Sequence, residues 1–365
     1  MTSDSRLGLL RFQEEYFPRI WGGRRLQDIY GKRLLPDTAI GEAWLISDHS
    51  TAETRVAEGP HEGKTLQDLL QMDAKSILGT RARLTVHGRF PLLLKLLDAN
   101  DVLSVQVHPD DETAARLGEP DTGKTEMWYV LQTLPGAELY CGLKPRCTRE
   151  SLMEAVHNQT LDRLLHRFGV EQGDSVLVPA GTVHAIGPGL LLAEIQQNSD
   201  LTYRLYDWGR TQADGRPREL HLDKALASIH YGAPPRGVAP GLALEESPVH
   251  RSILAACAYF AAEKTVLDGA SWVRETCCES FHILLGIEGT VGIGAGQDHT
   301  ELRPGCAVMV TGGCPRYTVE GRGAWLTYYV PDVARDVAAP LLQRGHKQSD
   351  IDQVLSRQGK DHPVP

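Results

Sequence analysis

The sequence predicts a mainly β protein made of two related barrel- or sandwich-like units, with a few inserted α-helices. Three observations predict it. Short apolar or alternating runs dominate, punctuated by Gly, Pro and Asp. Helical periodicity is confined to a few stretches. A weak internal repeat matches one part of the chain to a later part.

The first series of strand-like runs is RFPLLLKLLDA, SVQVH, EMWYVLQ, AELYCGL, DSVLVPAG, LLLAEIQQ and LTYRLYDWG. The second is AYFAAEKTVL, SFHILLGIEGTVGIG, GCAVMVTGG, RYTVEG and AWLTYYVPD. Among helical stretches, 63–79 carries Leu66, Leu69, Leu70 and Met72 at helical spacing. Residues 148–169 begin with Thr148 as an N-cap and keep apolar positions at three- and four-residue steps. Residues 221–232 form a third. The stretch GAPPRGVAPG, 232–241, lacks periodicity and reads as a linker. The expected division is 1–232, 242–335 and a polar tail, 336–365. In the repeat, GDSVLVPAGTVH (173–184) aligns without gaps on GCAVMVTGGCPR (305–316), and EMWYVL (126–131) resembles ESFHIL (279–284). His184 then falls opposite Arg316. If the first copy holds a metal, the second is a degenerate partner.

The totals narrow the function. A chain of 365 residues is long enough for two cores. A formal net charge of −9 argues against a general nucleic-acid surface. An anionic small substrate then needs positive charge local to a cleft. The seven cysteines are odd in number and show no C-x-x-C pair, which predicts free thiols in a reducing compartment. No signal-peptide core and no membrane-length apolar run are present. A cytoplasmic location, without membrane or nucleic-acid partners, is the expectation.

The chemistry concentrates in the first copy. In SVQVHPDD, 104–111, alternation puts Ser104, Gln106 and His108 on one strand face and Val105 and Val107 on the other. Glu126 starts another strand, and His184 follows a Pro-x-Gly turn. Two neutral imidazoles, one carboxylate and one amide oxygen suit Zn²⁺, with Mn²⁺, Fe²⁺ and Co²⁺ as neighbours. The absence of thiolates in this set points to an open, catalytic site. The spacing G-x5-P-x-G-x2-H, here Gly173, Pro179, Gly181 and His184, resembles the second conserved motif of the cupin superfamily. That resemblance implies two cupin-type jelly-roll (double-stranded β-helix) units.

Wider blocks sharpen the resemblance. FPLLLKLLDANDVLSVQVHPDD (90–111), GKTEMWYVL (123–131), VPAGTVHAIGPG (178–189) and EIQQNSDLTYRLYDW (194–208) look like the signature blocks of type I mannose-6-phosphate isomerases in their shorter bacterial form. RIWGGRRL (19–26) and GEAWLIS (41–47) fit the same family. The match runs from about residue 8 to about 335. It implies that His108, Glu126 and His184 hold one Zn²⁺ per chain, with Gln106 as fourth ligand. It further implies that Arg204 belongs to the active site, that Lys95, Lys124, Glu194 and Asp200 line the pocket, and that Ser104 lies near the substrate phosphate. Longer members carry His-Lys-Pro-Glu where this chain has Gly123-Lys124-Thr125-Glu126, so no role of that histidine carries over.

Moving a proton between C1 and C2 of a sugar needs a positioned base and stabilisation of an enediolate. Glu194, Asp200 and Lys124 are open candidates for proton transfer. Lys124 lies two residues from Glu126 and on its face. Arg204 offers a permanent cation. Trp21, Trp44 and Trp128 read as core rather than as a sugar platform. Competing readings are a non-catalytic sugar-phosphate-binding cupin, an isomerase for a different aldose, and a metal-dependent oxygenase on the same barrel. The last leaves the lysine and arginine idle.

Overall fold

A computed structural model describes residues 8–212, 215–245 and 249–356. The predicted fold class holds: the chain is mainly β, with jelly-roll sheets and short helices between strands. No described helix is long and apolar enough to cross a membrane. All seven cysteines are free.

Contacts group the chain into two compact units. Named only for the order of their segments along the chain, the central unit comprises Tyr16–Ala43 and Lys95–Val238, and the flanking unit Met1–Glu15, Trp44–Leu94 and Ala239–Pro365 so far as these are described. Residues 44–94, expected with the amino-terminal domain, therefore sort with the carboxy-terminal one. The physical reason is local packing. Phe90 stacks on Phe281 with centroids 4.5 Å apart, both fully buried. Gly312 N–H donates to the Ile77 carbonyl at 2.9 Å. A Cβ on Gly79 would lie 2.6 Å from the Glu279 backbone, so only glycine permits that approach.

Most strands of the central unit lie in two sheets. One runs in the order Ser175–Val178, Glu126–Thr133, Leu190–Gln197, Leu92–Ala99, Ile40–Ile46 and Glu15–Gly23. The other runs Leu165–Gly169, Glu138–Leu143, His184–Ile186, Val105–Val107 and Tyr203–Tyr206. Leu92–Ala99 and Leu190–Gln197 are buried at every position. Burial on both faces explains why they read as continuous apolar runs rather than alternations.

The helices follow their caps. Thr65 and Asp68 form a capping box before Leu66–Leu78, whose Leu66, Leu69 and Leu70 are buried as the spacing predicts. Met72 belongs to the same pattern but is 55% exposed. Thr148 caps Arg149–His157, which is much shorter than the expected 148–169. The remainder leaves the helix at Gln159, whose φ is +56°, and ends as the strand Leu165–Gly169. Pairing of that strand with Glu138–Leu143 overrides its helical spacing.

The flanking unit carries an eight-stranded sheet in which Ala261–Glu275, His282–Ala295 and Arg316–Tyr329 pair along nearly their full lengths. RYTVEG and AWLTYYVPD, read as two strands, are one. The expected polar tail is folded as far as it is described. Val337, Leu341, Ile351 and Val354 are fully buried against Ile253 and Ala256. Their spacing was visible but too sparse to stand out among polar residues.

His282 lies inside this unit with its Nδ1 3.0 Å from the Tyr317 hydroxyl. Burial, reinforced by Arg274, lowers its pKa to about 3. The unfolded chain therefore takes up this proton first, near the ordinary histidine value of about 6.5, and folded stability falls as pH drops below it. Between pH 7 and pH 5 the loss from this group is about 2 kcal/mol. Denaturant unfolding should show His282→Gln losing less stability than the parent chain over that interval; equal losses would contradict the assignment.

Candidate metal centre

Three neighbouring strands of the five-stranded sheet line up the first groups. Gln106 sits directly across from His184 on one side and from Arg204 on the other, so their side chains share a face. On the six-stranded sheet Glu126 pairs with Gln196 and Trp128 with Glu194. Strand alternation keeps Glu126 and Trp128 on one face. The Pro179–Gly181 turn joins the sheets at the site. Gly181, with φ +79°, donates its N–H to the His108 carbonyl at 2.8 Å. A Cβ there would lie 2.5 Å from the His230 ring, which accounts for the glycine in the motif.

His108, Glu126 and His184 converge, all buried, with one ligand atom from each within 4.8 Å of the others. His108 Nε2 is 3.4 Å from Glu126 Oε2, and His184 Nε2 is 3.4 Å from Glu126 Oε1. The tautomers follow from the partners. His108 Nδ1–H donates to the Leu201 carbonyl at 2.7 Å and His184 Nδ1–H to the Thr182 carbonyl at 2.8 Å. A carbonyl only accepts, so both Nε2 atoms carry the lone pair on the Glu126 side, where His108 Nε2 also lies 3.3 Å from Lys124 Nζ. Ligands about 2.05 Å from a tetrahedral ion lie roughly 3.3 Å apart, close to the spacing seen. Neither Glu126 oxygen takes part in a well-aligned hydrogen bond, although Lys124 Nζ is 2.7 Å from Oε2. These features fit a divalent cation. Gln106 completes the rim with Nε2 3.2 Å from His184 Nε2; half a turn of its amide would bring the oxygen there instead.

The electrostatics agree. Burial, then Lys124, lowers the His108 pKa to about 3, and burial lowers that of His184, so both imidazoles are neutral. Burial alone would raise the Glu126 pKa, but Lys124 and the histidines hold it well below the carboxylate range. Burial alone would also lower the Lys124 pKa, but Glu126 and then Glu194 raise it, so the ammonium stays protonated. Glu194 differs from Glu126. Burial, and next the charge of Glu126, raise its pKa. It accepts from Trp128 Nε1 at 3.0 Å and lies 3.7 Å from Lys95 Nζ.

A cleft of about 250 Å³ opens beside these groups. Ser104, Lys95, Lys124, Glu194, Asp200 and Arg204, all named from the sequence, line it. They are not equivalent. Ser104, Lys95 and Lys124 are buried, whereas Asp200 is exposed. Arg204 donates from Nη1 to the Glu219 carbonyl at 2.8 Å, while its buried Nε has no hydrogen-bond partner. Burial, then Arg218, lowers its pKa without discharging it.

Sequence reasoning missed Arg19, Glu42 and Arg218 in this lining. Arg19 Nε donates to Glu42 Oε1 at 2.6 Å, and Glu42 Oε2 is 3.8 Å from Lys95 Nζ. Both lie in the blocks RIWGGRRL and GEAWLIS, which carried the signal without assigning a role. Arg218 is held by both carboxylate oxygens of Asp207. Nothing in its sequence context marks it. Trp128 is fully buried as read, but it also orients Glu194; Trp21 is buried and lines the cleft.

The family model of the phosphomannose isomerase type I catalytic domain matches residues 9–128. Mannose-6-phosphate isomerase ManA of Bacillus subtilis is 36% identical over 321 residues, covering 86% of this chain and 96% of that protein. The mannose-6-phosphate isomerase of Streptococcus mutans is 35% identical over 288 residues, covering 79% and 88%. The crystal structure of the Bacillus subtilis mannose 6-phosphate isomerase superposes with a TM-score of 0.79 at 31% identity, covering 88% of this chain and 99% of that one. With its fold and the order of its motifs in agreement, the chain belongs to the type I phosphomannose isomerase family.

Proposed function

We propose that the chain is a zinc-dependent aldose–ketose isomerase that interconverts mannose 6-phosphate and fructose 6-phosphate through an enediolate. The observation that carries the reading is the convergence of His108, Glu126 and His184 beside a cleft that also contains a buried carboxylate of raised pKa. In this reading His108, Glu126 and His184 hold the ion, with Gln106 as fourth ligand. Bound there, Zn²⁺ supplies Lewis-acid polarisation of the substrate oxygens.

The side chains supply the rest. Glu194 is the best placed of the proton-transfer candidates, because a carboxyl with a raised pKa can accept a proton from C2 and return it to C1. Trp128 and Lys95 fix its orientation. Lys124 is the cation whose state depends on occupancy. Added positive charge beside it favours the neutral amine, which suits exchange of a proton with a sugar hydroxyl. Asp200, exposed at the cleft, is better suited to contacting sugar hydroxyls. Arg204 is a fixed positive charge for the enediolate, and Arg218 adds a second guanidinium for an anionic group. Ser104 and Lys95 complete the substrate contacts.

The test is a coupled assay for fructose 6-phosphate formed from mannose 6-phosphate. Activity should vanish after exhaustive chelation and return on adding Zn²⁺. Activity that persists in fully metal-free protein, or none in a zinc-loaded sample, would overturn the proposal. The second result would favour a binding protein.

A further inference from the structure

The flanking unit repeats the strand pattern without the chemistry. His282, not Glu279, pairs with Val310 as Glu126 pairs with Val178, and no second group of metal-ligating side chains occurs among the described residues. The remaining unassigned groups lie in the central unit, at the end of the cleft away from His108. Val105–Val107 pairs antiparallel with Tyr203–Tyr206, and Ser104 and His108 flank the first of these strands at opposite ends. Val105 stands opposite Tyr206, so the chain leaving Tyr206 turns beside Leu103 and Ser104.

That turn is Asp207-Trp208-Gly209-Arg210. Its central residues have φ of +59° and +71°, and the Arg210 N–H donates to the Asp207 carbonyl at 3.0 Å. Positive φ is rare for a bulky residue, and here it directs the Trp208 indole N–H to the Leu103 carbonyl at 2.8 Å. The Asp207 carboxylate, 6% exposed, takes two guanidinium groups. Arg210 Nη2 donates to Oδ1 at 2.6 Å, while Arg210 Nη1 donates to the Val102 carbonyl and lies 3.4 Å from the exposed Asp101. Arg218 donates from Nε to Oδ2 at 2.8 Å and from Nη2 to Oδ1. An antiparallel bridge between Thr211 and Pro217 returns Arg218 to this point. One carboxylate thus ties the wall that carries Ser104 to the guanidinium of Arg218, and both residues line the cleft.

The bidentate pair fixes the plane of the Arg218 guanidinium. It uses Nε and Nη2, so Nη1 stands outside it, and the side chain keeps 17% of its surface exposed. Arg204, in the same lining, donates to a backbone carbonyl rather than to a carboxylate. Arg218 lowers the pKa of Arg204 by more than Asp207 raises it, so positive potential remains here with Asp207 in place. We propose that Asp207 is a positioning residue for the sugar phosphate: its carboxylate sets Arg218 so that Nη1 binds the phosphate group beside Ser104. The inference rests on the isomerase reading for its substrate and deepens it. A phosphate on C6 is remote from C1 and C2, so the contact serves ground state and transition state alike and shows in KM.

The zinc-loaded full chain is assayed with mannose 6-phosphate and titrated calorimetrically with glucitol 6-phosphate, which keeps the phosphate and has no carbonyl to isomerise. Asp207→Asn should raise KM roughly 10- to 100-fold and weaken glucitol 6-phosphate binding by the same factor. It should hold kcat within about threefold and keep zinc at one per chain. In an Arg218→Ala background the same substitution should add less than about threefold, because the carboxylate acts through that guanidinium. Should Asp207→Asn not fold, Arg218→Lys gives the reading. It keeps the charge and gives up the two-bond pair, so KM should rise at least about tenfold with kcat within about threefold. Unmoved KM and affinity, a loss confined to kcat, additive effects in the double variant, or no binding of glucitol 6-phosphate to the parent chain would each overturn the proposal. A parent chain that binds glucitol 6-phosphate but forms no fructose 6-phosphate would instead sink the isomerase reading, and the calorimetric comparison would still decide the role of Asp207.

Discussion

His184→Ala is expected to lose bound zinc and isomerase activity together, with kcat/KM falling by a factor of about 10³ or more. The size follows from the geometry. His184 supplies one of three converging ligand atoms, and its Nδ1–H is fixed by the Thr182 carbonyl so that Nε2 faces Glu126. Removing it leaves one imidazole, a buried carboxylate and the weakly donating amide of Gln106, a set too poor for a tight zinc site. Elemental analysis after gel filtration, paired with the coupled assay, measures both losses. Zinc retained at one per chain would show that the ligand assignment is wrong. The strand itself should survive, since its backbone pairs with Gln106 and Cys141 do not involve the imidazole.

Arg204→Ala is expected to separate what His184→Ala removes together. Zinc should remain, because Arg204 is not among the converging ligand atoms. Activity should fall by roughly 10²- to 10³-fold, the usual consequence of deleting a donor that stabilises developing negative charge. The guanidinium is placed for that role. It lies across from Gln106 on the adjacent strand, lines the cleft, and carries an unpartnered buried Nε. Steady-state kinetics alongside metal content checks the pair of outcomes. Activity within about threefold of the parent chain would assign Arg204 to surface charge instead.

Much of the site was legible because it is local. SVQVHPDD carries two of the ligand-set residues on an alternating strand face, and Pro179-x-Gly181-x2-His184 encodes a turn that only glycine fits. What alternation could not supply was the meeting of strands distant in sequence. Arg218 reaches the cleft through a loop held to Asp207, and no periodicity announces it. The repeat misled for a related reason. ESFHIL resembles EMWYVL letter by letter, yet pairing register, not spelling, decides which side chains face the barrel interior. The helix expected over 148–169 failed at the point where a cross-strand partner outweighed local spacing. The folding of the tail as far as residue 356 was not legible, because four apolar residues among many polar ones suffice to dock short helices.

The central claim is that a single cation is gripped by side chains from three separate segments of the central unit. The most direct measurement is anomalous diffraction at the zinc absorption edge from crystals of zinc-loaded protein. A single strong peak about 2.0–2.2 Å from His108 Nε2, His184 Nε2 and a Glu126 oxygen is the predicted result. A zinc peak elsewhere, or none near these three groups in a sample with full isomerase activity, would contradict the account.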